Sequence, residues 1–362
     1  MDTLQQIAAA VGVSPNTVRR VLRGENKEVW PGAIRRGEAI RTAARKLGFL
    51  PNGSARAMRT GRFGSVALVL STDRGRSYLP DDLLIGIHDA LARRRLRLIV
   101  CRVSDKDLTN SRLMPMVLQE WSCDGLLIDY TDREPRQLVR LLGKYRTPSI
   151  WITPTQAADC VCYDDDGGAA AATRHLLALG HQRIAYLDFV EKARWPLVHT
   201  SRRDRYAGYA RAMREAGLRP TLPSAFGGVP KPQRLEATVH LLRRPDRPTA
   251  LLGYDAGIRL LHAATLAGLR VPRDVSIMAF GPQAQSAAID EEEFLGRRIG
   301  TMGLPVEQAG QQAVELLQRK MAAPERKVPA CVLPLIFDPG DTCGPAPVAG
   351  TRGAVEISGK AG

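Results

Sequence analysis

From Gly64 onward the chain alternates short apolar runs with longer stretches whose apolar residues recur every three to four positions, and this alternation restricts the fold more than any other feature. The runs at 66–70, 98–101, 125–128, 149–152, 184–187, 250–253 and 276–280 are too short for stable helices and show no polar face. Strands buried on both sides of a sheet read this way. Between them, 81–94, 112–120, 135–144, 167–179, 206–216, 233–242 and 256–267 have the spacing of amphipathic helices. Strand and helix taking turns implies α/β layers around open parallel sheets, with ligands beyond the carboxyl ends of the strands.

Before residue 64 the pattern is helical throughout. Leu4, Ile7, Ala8 and Val11 follow the i, i+3, i+4, i+7 rule behind Thr3, which can cap them, and Gly12 supplies a left-handed stop. Ser14 can accept hydrogen bonds from the free amides of a second helix, and Pro15 is preset for its first position. Val18, Val21 and Leu22 then face the first helix. Pro15, Asn16, Thr17, Arg19, Arg20 and Arg23 are left outside the apolar stripe. Such a helix-turn-helix can present the start of its second helix to a major groove, where polar side chains and arginine meet base edges and phosphates. A third helix over about 32–47 offers Ala33, Ile40, Ala43, Ala44 and Leu47 to close a three-helix core.

The stretch after it is less determined. Pro51 disfavours helix at Leu50, Asn52 can cap, and 54–59 is too short to hold a helix alone. Ala55 and Met58 share one face, with Arg56 and Arg59 beside it. Either it folds on DNA, wedging small and apolar residues into a minor groove, or it is a flexible basic linker. The first 62 residues carry twelve Lys and Arg against four Asp and Glu, a surplus of eight out of a net charge of +15. That imbalance suits a polyanion such as DNA, RNA or an anionic membrane, with a solvated basic face as the alternative.

Length and 44% hydrophobic content allow two or three domains with real cores. No apolar run reaches 18 residues and the start "MDTLQQ" is unlike a secretory signal, so a cytoplasmic protein without a membrane partner is expected. The six cysteines show no C-x-x-C spacing and are expected reduced, with the Cys160 and Cys162 pair as strand sequence. Asp164, Asp165 and Asp166 precede a helix and are explained by capping. No metal site, cofactor fingerprint or catalytic motif is found, so no enzyme is expected.

Several stretches, "TLQQIAAAVGVSPNTVRRVLRG" from Thr3, "LGFLPNGSARAMRTGR" from Leu47, "LLALGHQRIAYL" from Leu176, "RYAGYARAMREAG" from Arg205 and "AGLRVPRDVSIMAFG" from Ala267, together resemble the LacI/GalR family of bacterial transcription regulators. The resemblance runs over about 2–338. It implies a helix-turn-helix domain at 1–50, a hinge helix or linker at 51–63, and a periplasmic-binding-protein-like core at 64–338 made of two doubly wound parallel-sheet lobes. The chain would cross three times, giving a first lobe of about 64–160 and 299–324 and a second of about 161–298 and 325–338. A late helix at 306–321 would return to the first lobe and 331–337 would finish the second. The tail, 339–362, rich in Gly and Pro without a periodic face, is expected to be disordered.

By the same resemblance Pro15, Asn16 and Arg20 would read bases and Met58 would be the minor-groove lever. The expected DNA-facing set is Thr3, Ser14, Pro15, Asn16, Thr17, Arg19, Arg20, Arg23, Asn52, Ala55, Arg56, Met58 and Arg59. Sugar-responsive relatives carry aspartates and an asparagine in the cleft where this chain has Thr153, Tyr254, Asp255 and Gly281; Arg205 and one aspartate persist. Three states of the cleft stay open: an anionic effector gripped by Arg205, a more apolar one against Trp151 and Tyr254, or none. The implied function is a sequence-specific regulator, more often a repressor than an activator, acting as a homodimer on a pseudo-palindromic double-stranded operator. The alternatives are an effector-independent regulator or a two-lobed enzyme acting on sugars or nucleosides.

Overall fold

The computed structural model of the chain describes residues 3–22, 30–49, 62–73, 76, 77, 79–104, 106, 108, 123–130, 134–152, 157–190, 199–223, 226–254, 257–282 and 296–347. Two compact units result, Met1–Phe63 and Gly64–Gly362.

The first unit holds helices α1 (Thr3–Val11), α2 (Pro15–Leu22) and α3 (Pro31–Lys46). Ile7, Ala8, Val18, Val21, Ile40 and Ala44 form its core. Gly12, at φ +69°, ends α1, and Ser14 Oγ accepts from the Thr17 amide at 3.1 Å to start α2. Thr3 lies inside α1 as its first residue, not ahead of it as a cap. Leu47, expected in the core, is 43% exposed. The reason is Gly48 at φ +64°: it turns the chain back so that the Phe49 amide reaches Ala44 O at 2.9 Å and the Phe49 ring packs where Leu47 was placed.

The second unit contains two sheets. In chain order its elements are β1 (Ser65–Ser71), α4 (Asp81–Ala92), β2 (Arg97–Val103), β3 (Gly125–Asp129), α5 (Arg136–Tyr145), β4 (Ser149–Ile152), β5 (Cys160–Tyr163) and α6 (Asp165–Ala178). There follow β6 (Ile184–Leu187), α7 (Ser201–Glu215), α8 (Arg234–Arg243), β7 (Ala250–Gly253), α9 (Gly257–Leu266) and β8 (Ser276–Pro282). Last come β9 (Gly300–Leu304), α10 (Val306–Ala322), β10 (Cys331–Leu333) and β11 (Ile336–Asp338). The strand orders are β10-β5-β4-β3-β1-β2 and β11-β9-β8-β7-β6. Every pairing is parallel except β11 with β9. Both faces of each sheet are covered, which is why the strands lack polar alternation. On the first sheet α4 meets α10 so closely that a Cβ on Gly86 would lie 2.1 Å from Glu307 O.

The lobe boundaries differ from those expected. β10 joins the first sheet, with Val332 opposite Cys162, and only β11 finishes the second, with Phe337 opposite Met302. Between them Pro334 has no amide with which to extend the ladder, and the chain changes sheet there. β5 likewise belongs to the first sheet and β9 to the second, so the crossings fall at Asp164, Pro305 and Pro334–Leu335. Residues 339–347 of the tail pack against the second lobe. Thr342 is fully buried, donating to Ile277 O at 2.7 Å and accepting from the Gly300 amide at 2.8 Å, and the Ala346 amide reaches Leu179 O at 2.8 Å. Backbone and hydroxyl pairing holds this segment, so it needs no periodic apolar face. Residues 348–362 and the helix expected at 112–120 lie outside the described residues.

Candidate functional site

In the first unit, Val18 and Val21 anchor α2 to the core, and the opposite side faces outward. Ser14, Pro15, Asn16, Arg19 and Arg20 are exposed, and Thr17 is half-buried with its hydroxyl 2.9 Å from that of Ser14. Two arginines and an asparagine on one outward helical face can donate to phosphate oxygens and guanine or adenine edges. Thr3 is half-buried. Arg23, Asn52, Ala55, Arg56, Met58 and Arg59 lie outside the described residues. Trp30, 75% exposed ahead of α3, adds an aromatic surface that the sequence pattern did not single out.

In the core, the polar residues at the carboxyl ends of the second-lobe strands bind one another. Arg205 is only 5% exposed, and its Nε donates to Asp165 Oδ1 at 2.6 Å. Nη1 donates to Tyr254 O at 3.3 Å, and the guanidinium carbon lies 4.8 Å from the Tyr254 ring centre and 4.5 Å from that of Phe280. Asp165 and the aromatic neighbours hold Arg205 charged against the desolvation that burial brings. An anion would have to compete with Asp165, so the expected bidentate grip on an anionic effector does not match this arrangement. Trp151 is 3% exposed and packs in the first-lobe core with Ile128 and Cys160, which removes it as a stacking wall. The Tyr254 hydroxyl lies 2.6 Å from Ser201 Oγ, and Arg202 stacks 3.9 Å from its ring centre. Gly281 is half-buried in β8; Thr153 and Asp255 lie outside the described residues.

Two groups here escaped the sequence reading. Asp188, just past β6, is 2% exposed; its Oδ1 accepts from the Val190 amide at 2.9 Å and from Arg202, while Oδ2 is buried without a hydrogen-bond partner. The Tyr186 hydroxyl on the same strand is also unpartnered, and burial drives its pKa well above 10. The available signal was position: an acidic residue directly after an apolar run that ends a parallel strand. Both atoms are acceptors left unsatisfied at the carboxyl end of β6. Asp164 Oδ1 accepts from the Gly167 amide at 2.9 Å, so its role as a helix cap agrees with expectation. A separate hollow of ≈ 240 Å³ opens at the Pro305 crossing between Asp82, Glu307, Gln311 and Ile336, where neither sequence motif nor charge pattern had drawn attention.

Residues 173–343 match the periplasmic binding protein-like domain family. The ribose operon repressor of Escherichia coli (strain K12) is 25% identical over 339 residues, covering 90% of this chain and 94% of its own length. The HTH-type transcriptional regulator CelR of Thermobifida fusca is 28% identical over 290 residues, 77% of this chain and 81% of its own. Among solved structures, the Lac repressor dimer bound to operator and an anti-inducer superposes with a TM-score of 0.69 at 18% identity, over 93% of this chain and 98% of that one. No described helix is long and apolar enough to cross a membrane.

Proposed function

We propose that the chain is a member of the LacI/GalR family of bacterial transcription regulators and a sequence-specific repressor acting as a homodimer on a pseudo-palindromic operator. The observation that carries this reading is the outward row Pro15, Asn16, Arg19 and Arg20 on a helix whose other side is fully buried. In this reading residues 1–50 form the reader and 51–63 the hinge. The two-lobed core pairs the readers, because a dyad of helices matches a dyad of half-sites. For the core, Asp188 Oδ2 and Tyr186 Oη favour a neutral, donor-bearing effector over an anionic one, since Asp165 already neutralises Arg205. Cleft polar groups engaged with one another in this way suit binding better than catalysis.

Fluorescence anisotropy with a duplex taken from upstream of its own gene tests the reader. Arg20→Ala should weaken that complex by about 1–3 kcal/mol, roughly 5- to 150-fold, and leave binding to a random-sequence duplex much less affected. Equal losses on both duplexes contradict base reading by α2.

A further inference from the structure

At the far end of the first sheet from the cleft, α4 runs into β2 through the sequence "ARRRLR", residues 92–97. The Leu96 amide bonds to Leu91 O at 3.0 Å and the Arg95 amide to Ala92 O at 2.9 Å, so Arg95 occupies the left-handed position of a helix-ending turn, at φ +56°. Glycine is the unstrained residue there, and the chain uses it at Gly12, Gly48, Gly180, Gly217 and Gly268, where α1, α3, α6, α7 and α9 end. α5 ends instead on Arg146, also left-handed, whose side chain pairs with Glu325 at 3.1 Å. Arg95 has no such compensation: it is exposed and has no hydrogen-bond or ion-pair partner among the described residues. Arg93 is exposed and equally unpartnered, and Arg97 is exposed as well. Arg94 is committed, to Ala90 O at 3.0 Å and Glu315 at 4.0 Å. The nearby acids are Asp89, which pairs with His88, and Asp124, which accepts from the Gly64 amide at 2.9 Å.

Location gives this turn its partner. The Arg97 amide bonds to Gly64 O at 3.0 Å, and Gly64 is the residue at which the chain enters the core from the N-terminal segment. DNA held by that segment is therefore tethered to the turn at high effective concentration. We propose that the turn carrying Arg93 and Arg95 is a second DNA-contact site, on the core, which neutralises backbone phosphates of the duplex that the helix-turn-helix reads. The proposal rests on the DNA-binding reading above and adds to it a contact without sequence preference.

Salt titrations test it, because each phosphate contact contributes about 0.9 to the slope of log K against log salt. Arg93→Gln/Arg95→Gln should lower the slope by at least about 0.9 and at most about 3.6 in the dimer. The drop should be the same on the upstream duplex and on a random-sequence duplex. Arg219→Gln/Arg273→Gln, an equal charge loss at exposed second-lobe positions, should leave the slope unchanged. Arg95→Gly separates binding from folding: it relieves the left-handed strain, so the melting temperature should rise while the slope falls. An unchanged slope in the first variant overturns the proposal, as does an equal fall in the second-lobe control. Wild-type protein that binds neither duplex removes the DNA-binding reading and this one together, whereas wild-type binding with an unmoved variant slope removes this one alone.

Discussion

Whether Arg205 is held ready for a ligand or serves the fold can be decided by removing its partner. Asp165 and Arg205 are 7% and 5% exposed, so water cannot stand in for either when the other is lost. Asp165→Leu strands a buried guanidinium that, among the described residues, retains Tyr254 O and two ring faces. Breaking a buried pair from one side costs about 3–5 kcal/mol, a large share of a stability of about 5–15 kcal/mol. For a unit of this size that corresponds to a fall in melting temperature of roughly 5–8 °C. Replacing both residues, as in Asp165→Leu/Arg205→Met, removes the stranded charge with the salt bridge and should restore stability to within about 2 kcal/mol of wild type. The assay is urea and thermal unfolding followed by circular dichroism on the four proteins of the cycle. If Asp165→Leu costs under about 1 kcal/mol, or if the double variant loses the sum of the two singles, the pair is not the structural unit described and Arg205 returns as a ligand group.

His181 is fully buried between Thr249, Ser276 and Gly344 O, and burial pulls its pKa below the ordinary 6.5. The unfolded chain then binds the proton more tightly than the native one, so this contribution is intact above about pH 6.5 and is lost as pH falls through the lower native value. Urea midpoints at about pH 7.5 and pH 5 should differ more for wild type than for His181→Gln, and equal differences would reject the reasoning. Gly86→Ala places a methyl 2.1 Å from Glu307 O and should cost about 1–3 kcal/mol by prying α4 from α10; a melting temperature equal to wild type would show that the helices separate freely.

The parallel strands were legible because burial on both faces writes an apolar run, and Ser14 and Gly12 wrote the turn between α1 and α2. What stayed hidden has physical reasons. β9, "GTMGL", breaks its two core residues, Met302 and Leu304, apart with Gly300, Thr301 and Gly303, so no apolar run marks it. The segment after β11 is held by Thr342 meeting Ile277 and Gly300 and by Gly344 meeting His181 and Ser276, a network of distant elements that no local spacing encodes. The cleft was read by matching positions, which found Arg205 but not its neutraliser: Asp165 stands 40 residues away and looked like one of three capping aspartates. Among the corrected expectations, the Arg205 grip, the Trp151 wall and the lobe boundaries all depended on tertiary partners. Leu47 depended on one left-handed glycine.

The three passages between the lobes consist of Asp164, Pro305 and Pro334–Leu335, and two of them are laced by the bond from the Asp164 amide to Leu333 O at 2.8 Å. Cords this short forbid sliding or separation and leave a pivot as the one cheap freedom. A signal from one lobe to the other must therefore be written as an angle. No single cut in the gene yields an intact half, since each lobe is sewn from fragments that lie on either side of the other.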